Sequence, residues 1–167
     1  NRGGRQIRSA LRNRGTVVLE YPLEVAENGA QHRNEGRIEL NGQTLVVGGA
    51  GWLNAQGARI LGSGALDVSG VAFTNAGILS PGSSPGRISI TGNYTHAATG
   101  VLDVEVAGGA GPGTGNDLVE ILNGSATIEG GTLSTRLLGA FVPNAEARFR
   151  VLSATRGVTG RFVRTPN

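Results

Sequence analysis

The sequence predicts an all-β solenoid, a parallel β-helix with rungs of about 21 residues. Three rows of residues predict it. The first is Leu11, His32, Trp52, Phe73 and Tyr94, with gaps of 21, 20, 21 and 21 residues, and Asn stands two places after the first four, at Asn13, Asn34, Asn54 and Asn75. The second is a set of apolar pairs, Leu23-x-Val25, Leu45-x-Val47, Leu66-x-Val68 and Ile88-x-Ile90. The third lies four and six residues after each Asn: Val17 and Leu19, Ile38 and Leu40, Ala58 and Ile60, with Leu79 continuing its first column. Within a pair the middle residue is often polar, as in a strand with one buried face.

Each row has an expected place in the rung. Trp52, Phe73 and Tyr94 form one interior stack, with Leu11 and His32 continuing it toward the N-terminus. The Asn residues occupy corners, where Asn tolerates left-handed backbone geometry and bonds to neighbouring rungs. The third copy, Asn54-Ala-Gln-Gly57, is one residue longer before its Gly than Asn13-Arg-Gly15 or Asn34-Glu-Gly36. Counting from Asn keeps Ala58 and Ile60 inside, whereas counting from Gly buries Arg59, and an unpaired buried charge is costly. The extra residue therefore reads as a bulge or wider turn.

Composition agrees with narrow rungs and tight corners. The chain has 29 Gly in 167 residues, 4% aromatics, no Cys and no Met. Gly serves corners that need positive φ. Absent Cys excludes disulfides and thiolate metal sites. No apolar run reaches the 18 residues of a membrane-spanning helix, and no signal peptide is present. Asn1 reads as an internal or processed start.

The net charge is +3, and all fifteen basic residues are Arg. Such a balance suits an acidic partner such as nucleic acid or lipopolysaccharide. Five of the Arg, however, lie at Arg2, Arg5, Arg8, Arg12 and Arg14, and the remainder of the chain is slightly acidic. That segment, residues 1–15, reads as a solvated end, an N-terminal cap or a short helix, with a contact patch as the alternative. Nucleic acid binding is not expected.

Residues 11–97 keep the strict period, and residues 98–167 diverge. Gly100 to Val106 reads as a strand with Leu102, Val104 and Val106 inward. Ala107 to Asn116 is a Gly-rich loop leaving the rod. Asp117 to Leu122, Ser125 to Glu129 and Thr132 to Leu138 are further strands, turned at Asn123-Gly124 and Gly130-Gly131. Ala140 to Ala147 connects to Phe149–Leu152 and Val158–Val163. The arithmetic gives roughly eight rungs and a rod on the order of 35–40 Å long. Phe141, Phe149 and Phe162 are placed to close the open end of the core, so residues from about 98 onward are expected to cap the rod and nucleate its folding.

These residues carry a resemblance. Gly77-Ile-Leu-Ser-Pro-Gly-Ser-Ser-Pro-Gly-Arg-Ile-Ser-Ile-Thr-Gly-Asn-Tyr-Thr-His96, the strand from Gly100 with its Gly loop and Asn116-Asp-Leu-Val-Glu120, Gly124-Ser-Ala-Thr-Ile-Glu-Gly-Gly-Thr-Leu133 and Phe149-Arg-Val-Leu-Ser-Ala-Thr-Arg-Gly-Val-Thr-Gly-Arg-Phe162 resemble the repeats near the C-terminal end of autotransporter passenger domains. The likeness covers about residues 73–163 and lies in the order of elements. It implies a right-handed β-helix at the surface of a Gram-negative bacterium, whose C-terminal section leaves the cell first and templates the rungs behind it. The family's membrane barrel is not in this sequence.

Chemical groups are sparse. His32 reads as a stack residue rather than a metal ligand or base, because no second His or carboxylate stands at metal spacing. His96 takes the position that Asn holds elsewhere. Trp52 and Tyr94 read as core rather than sugar platforms. Asp103 and Glu105 are the best carboxylate pair, on one strand face about 7 Å apart, within the range glycosidases use. The stronger reading is a solvated pair, with Arg136 neutralising one member. The three Asp, at 67, 103 and 117, are far apart in sequence, unlike the clustered carboxylates of calcium-dependent lyases. No nucleophile elbow, Walker loop or zinc motif is present. The expected function is a non-enzymatic extracellular rod without cofactor, a stem and folding scaffold, with further rungs of its parent chain as neighbours and no membrane insertion. The alternatives are an adhesive module for a surface or matrix ligand and a polysaccharide-active enzyme.

Overall fold

The computed structural model describes residues 5–163. Among them every regular element is a strand and none is a helix. The strands fall into three parallel sheets. The first stacks Arg5–Ile7, Leu23–Val25, Thr44–Val47, Gly64–Asp67, Arg87–Thr91, Leu118–Leu122 and Leu152–Ala154. The second stacks Arg12–Asn13, Gln31–Asn34, Gly51–Asn54, Ala72–Asn75, Tyr94–His96, Ala126–Ile128 and Val158–Gly160. The third stacks Thr16–Val18, Arg37–Glu39, Arg59–Gly62, Ile78–Pro81, Val101–Val106 and Thr132–Leu137. The chain visits the three sheets in turn and moves up one strand each time. This is a parallel β-helix.

Like residues stack on like because parallel pairing repeats one register at each rung. One interior column runs Val17, Ile38, Ile60, Leu79, Leu102, Leu133. A second runs Leu23, Leu45, Leu66, Ile90, Ile121, Ala154. A third runs His32, Trp52, Phe73, Tyr94, Ala126, Val158. The middle members are almost wholly buried, and each large apolar side chain contributes about 1.5–3 kcal/mol by leaving water.

Several expectations need correction. Ile88-x-Ile90 does not lie over Leu66-x-Val68: Ile88 pairs with Gly64 and Ile90 with Leu66. Likewise Ile60, not Ala58, stacks on Ile38. Ala58 is buried in a turn closed by its own N–H to the Ala55 carbonyl at 2.9 Å, with Gly57 at φ +81°. Both slips are of two residues. Burial dictates only which parity of a strand faces inward, so a shift of two keeps the same face inside. Arg59 points outward and is exposed. The described residues make seven rungs rather than eight, because the fifth and sixth carry long connections at 107–117 and 138–151. Six spacings of about 4.8 Å make a rod on the order of 29 Å long. The last first-sheet strand is Leu152–Ala154, displaced from the expected Phe149–Leu152.

The ends also differ from expectation. Arg5–Ile7 and Arg12–Asn13 are strands of the first rung, not a helix. The seventh rung does not bury itself: Val158–Gly160 is exposed throughout, and Leu137, Val142, Val158 and Val163 are among the most exposed apolar residues. Phe162 packs against the core cluster, but Phe141 and Phe149 face each other, ring centroids 6.0 Å apart, in the connection before Leu152. Among the described residues this rung has a neighbour on one side only, so it excludes less water than the middle rungs do.

Candidate functional site

The most ordered polar assembly is internal. Asn13, Asn34, Asn54 and Asn75 end successive strands of the second sheet, and all four are buried. The Nδ2 of Asn13 donates to Asn34 Oδ1 at 2.8 Å, Asn34 to Asn54 at 2.8 Å and Asn54 to Asn75 at 2.7 Å. The same amides donate to the carbonyls of Arg37, Arg59 and Ile78 in the rung above. Oδ1 of Asn13 and of Asn34 accepts the backbone N–H of Gly15 and Gly36 respectively. An amide has two donors and a carbonyl with two lone pairs, so it can be saturated in such a line. The left-handed geometry expected of these Asn is not found; the non-glycine residues with positive φ are Asn41, Ser84 and Asn123. Satisfaction along the stack holds them, not a corner conformation. Gly77, two residues after Asn75, has no room for a Cβ, which would collide with the Ala55 carbonyl and meet the Ala58 carbonyl at 2.5 Å and Asn54 Nδ2 at 2.8 Å.

The ladder ends at His96, register partner of Asn75. Asn75 Nδ2 lies 3.5 Å from His96 Nδ1 and 3.4 Å from the Tyr94 hydroxyl, and that hydroxyl lies 2.8 Å from Nδ1. Burial lowers the pKa of His96 and raises that of Tyr94, so both are neutral and the Tyr94 O–H donates to Nδ1. The Phe162 ring meets His96 edge-on at 5.0 Å. Above His96 the register continues to Ile128 and Gly160, which have no amide. At the other end His32 is buried, and its Nδ1 accepts the Leu11 N–H at 3.1 Å, which puts the ring proton on Nε2. Leu11 is half-buried against the core. Trp52 is buried, and Phe73 and Tyr94 lie tilted at 5.5 Å. His32 Nε2, Trp52 Nε1 and His96 Nε2 have no acceptor among the described residues.

The carboxylates are tied up. Glu105 accepts from the Ser84 hydroxyl at 2.6 Å and pairs with Arg136, its register neighbour. Asp103 accepts from Ser134 Oγ at 2.8 Å. Asp117, distant in sequence, comes close to this pair. It is fully buried, and its two oxygens accept the N–H of Gly86 at 2.7 Å and of Glu105 at 2.8 Å. Burial pushes its carboxyl up to about 6, against the two hydrogen bonds. Asn116 beside it donates to the carbonyl of Arg150 at 2.8 Å. Among the described residues no group of three His, Cys, Asp or Glu could hold a metal ion. Nor, among the described residues, is any helix long and apolar enough to cross a membrane.

The basic segment does not form one patch. Arg2 lies outside the described residues. Arg5 sits over the Tyr21 ring at 3.9 Å, and Arg8 bonds to Gln6. Arg12 and Arg14 turn to Glu35, where Arg33 joins them. The hydrogen bond from Arg12, followed by that from Arg33, holds Glu35 down to about 2. Sequence reasoning missed Glu35, Arg33, Arg37 and Arg59. Their signal was the outward position beside the Asn row, in rungs where Arg recurs.

Comparison with protein-family models, with characterised proteins and with solved structures gives no match.

Proposed function

We propose that this chain is a non-enzymatic rod segment of an extracellular bacterial protein, a stem and folding scaffold of the autotransporter-like kind. One observation carries the proposal: the ordered polar groups serve neighbouring rungs. The amide ladder, Asp117 and the Glu105–Arg136 pair each join one rung to another rather than converging on a cleft. Such bonding suits a spacer that transmits position along its axis. The order of elements over residues 73–163 supports the autotransporter assignment and, with it, a place on the cell surface.

Antibody labelling of intact cells of the source bacterium tests the location. The reading expects labelling that mild external proteolysis removes; labelling only after permeabilisation overturns it. Incubation with pectin, alginate and other uronic acid polymers tests the chemistry. No unsaturated or reducing ends should appear, and turnover that vanishes in an Asp103→Ala, Glu105→Ala double variant overturns the non-enzymatic reading.

A further inference from the structure

The first three rungs carry a concentrated basic face at the corner between the second and third sheets. Arg12 and Arg33 are register partners on the outward side of the second sheet. Arg37 and Arg59 are register partners on the outward side of the third. Arg14 and Glu35 stand at the corner between them, with Glu35 N–H bonded to the Asn13 carbonyl. Glu39 pairs with Arg37 at 2.6 Å. Five arginines thus share a face with two glutamates.

This face already holds a carboxylate of its own chain. Glu35 receives Arg33 Nε at 2.6 Å, Arg12 through two nitrogens at 2.8 Å, and Arg14 at 3.1 Å. Three guanidinium groups converge on one carboxylate, leaving two positive charges and several N–H donors uncompensated. The side chains of Arg12 and Arg14 are 58% and 68% exposed. Arg59 has no carboxylate partner among the described residues. Guanidinium is planar and pairs bidentately with carboxylate and sulfate. Adjacent rungs repeat the charge about every 4.8 Å along the axis.

The geometry points to a binding surface for an acidic polysaccharide, lying along the rod and pairing its carboxylates or sulfates with Arg12, Arg14, Arg33, Arg37 and Arg59. Two features favour this partner. The face is a flat sheet corner with no protruding helix or ribbon to enter a duplex groove. No aromatic ring lies among these arginines to stack unpaired bases. The surface does not depend on the stem reading, which surface labelling tests separately.

Heparin immobilised on a sensor surface is the probe. Binding is expected at 50 mM NaCl, falling roughly 20- to 40-fold at 200 mM for about three neutralised charges. An Arg33→Gln, Arg59→Gln variant should lose at least about tenfold in affinity while keeping its denaturation midpoint. An Arg156→Gln, Arg161→Gln variant removes the same charge elsewhere and should stay within about twofold. Polygalacturonate should compete better than a DNA duplex or phosphatidylglycerol vesicles at equal charge concentration. No binding at 50 mM, equal losses in the two variants, or stronger competition by DNA or vesicles overturns the assignment.

Discussion

The regular rungs and the C-terminal section solve one problem with different chemistry. Both must satisfy polar groups inside a narrow stack. Up to Asn75 a line of neutral amides does this, each bonded to the next and to a backbone carbonyl above. Beyond His96 the line stops, and a single buried carboxylate, Asp117, ties the Gly86 loop to the strand ending at Val106. A repeated neutral tie can run the length of a rod and is indifferent to pH. A charged tie is local, and burial makes it titrate near neutrality. The contrast predicts that the two sections respond differently to mutation and to acid.

The sharpest break is Asn54→Leu. It strands the buried Asn75 Oδ1, at about 1–3 kcal/mol, and also removes the donor to the part-buried Ile78 carbonyl and the acceptor of Asn34 Nδ2, which cost less, so about 2–4 kcal/mol should be lost. Urea denaturation checks this. An unchanged midpoint would show that apolar stacking alone holds the regular rungs.

The next effect is on pH dependence. The folded pKa of Asp117 lies above its ordinary 3.8, at about 6, so the fold favours the protonated form. Its contribution is full below 3.8 and fades as pH rises toward 6, on the order of 1–3 kcal/mol. His96 opposes it: its lowered pKa favours the neutral form, a contribution present above 6.5 and lost as pH falls below that. Asp117→Asn should remove the rise in stability between pH 6 and 4 and leave the His96 decline. Midpoints measured across that range distinguish the two; identical pH profiles for variant and parent would contradict the charged tie.

A smaller effect is expected from Phe162→Ala. Phe162 is half-buried over His96, so its loss should cost about 1–2 kcal/mol, below the 3–5 kcal/mol of a fully buried ring. Thermal unfolding would show it. A loss as large as that of Asn54→Leu would restore the C-terminal section as the cap.

The period was legible because interior columns and the Asn row depend only on residue type at fixed spacing. Parity was legible too, since burying Arg59 would be costly. Register was not: Ile88 and Ala58 fit either of two alignments that differ by two residues, and burial cannot choose between them. Asp117 escaped because its contacts cross the 107–116 loop, where the period is broken. Glu35 escaped because its arginines come from positions 12, 14 and 33, adjacent only once the rungs are stacked. The end rung escaped because Phe141, Phe149 and Phe162 look alike in sequence, and only Phe162 reaches the core.

Native-state hydrogen exchange, residue by residue, tests the central claim that the ladder-bonded middle rungs hold this rod and its last rung does not. Slowest exchange is predicted in Gly51–Asn54, Ala72–Asn75 and the strands beside them, with fastest exchange among strands in Leu152–Ala154 and Val158–Gly160. Slowest exchange in residues 132–163, with the Asn-bearing strands opening first, would contradict it.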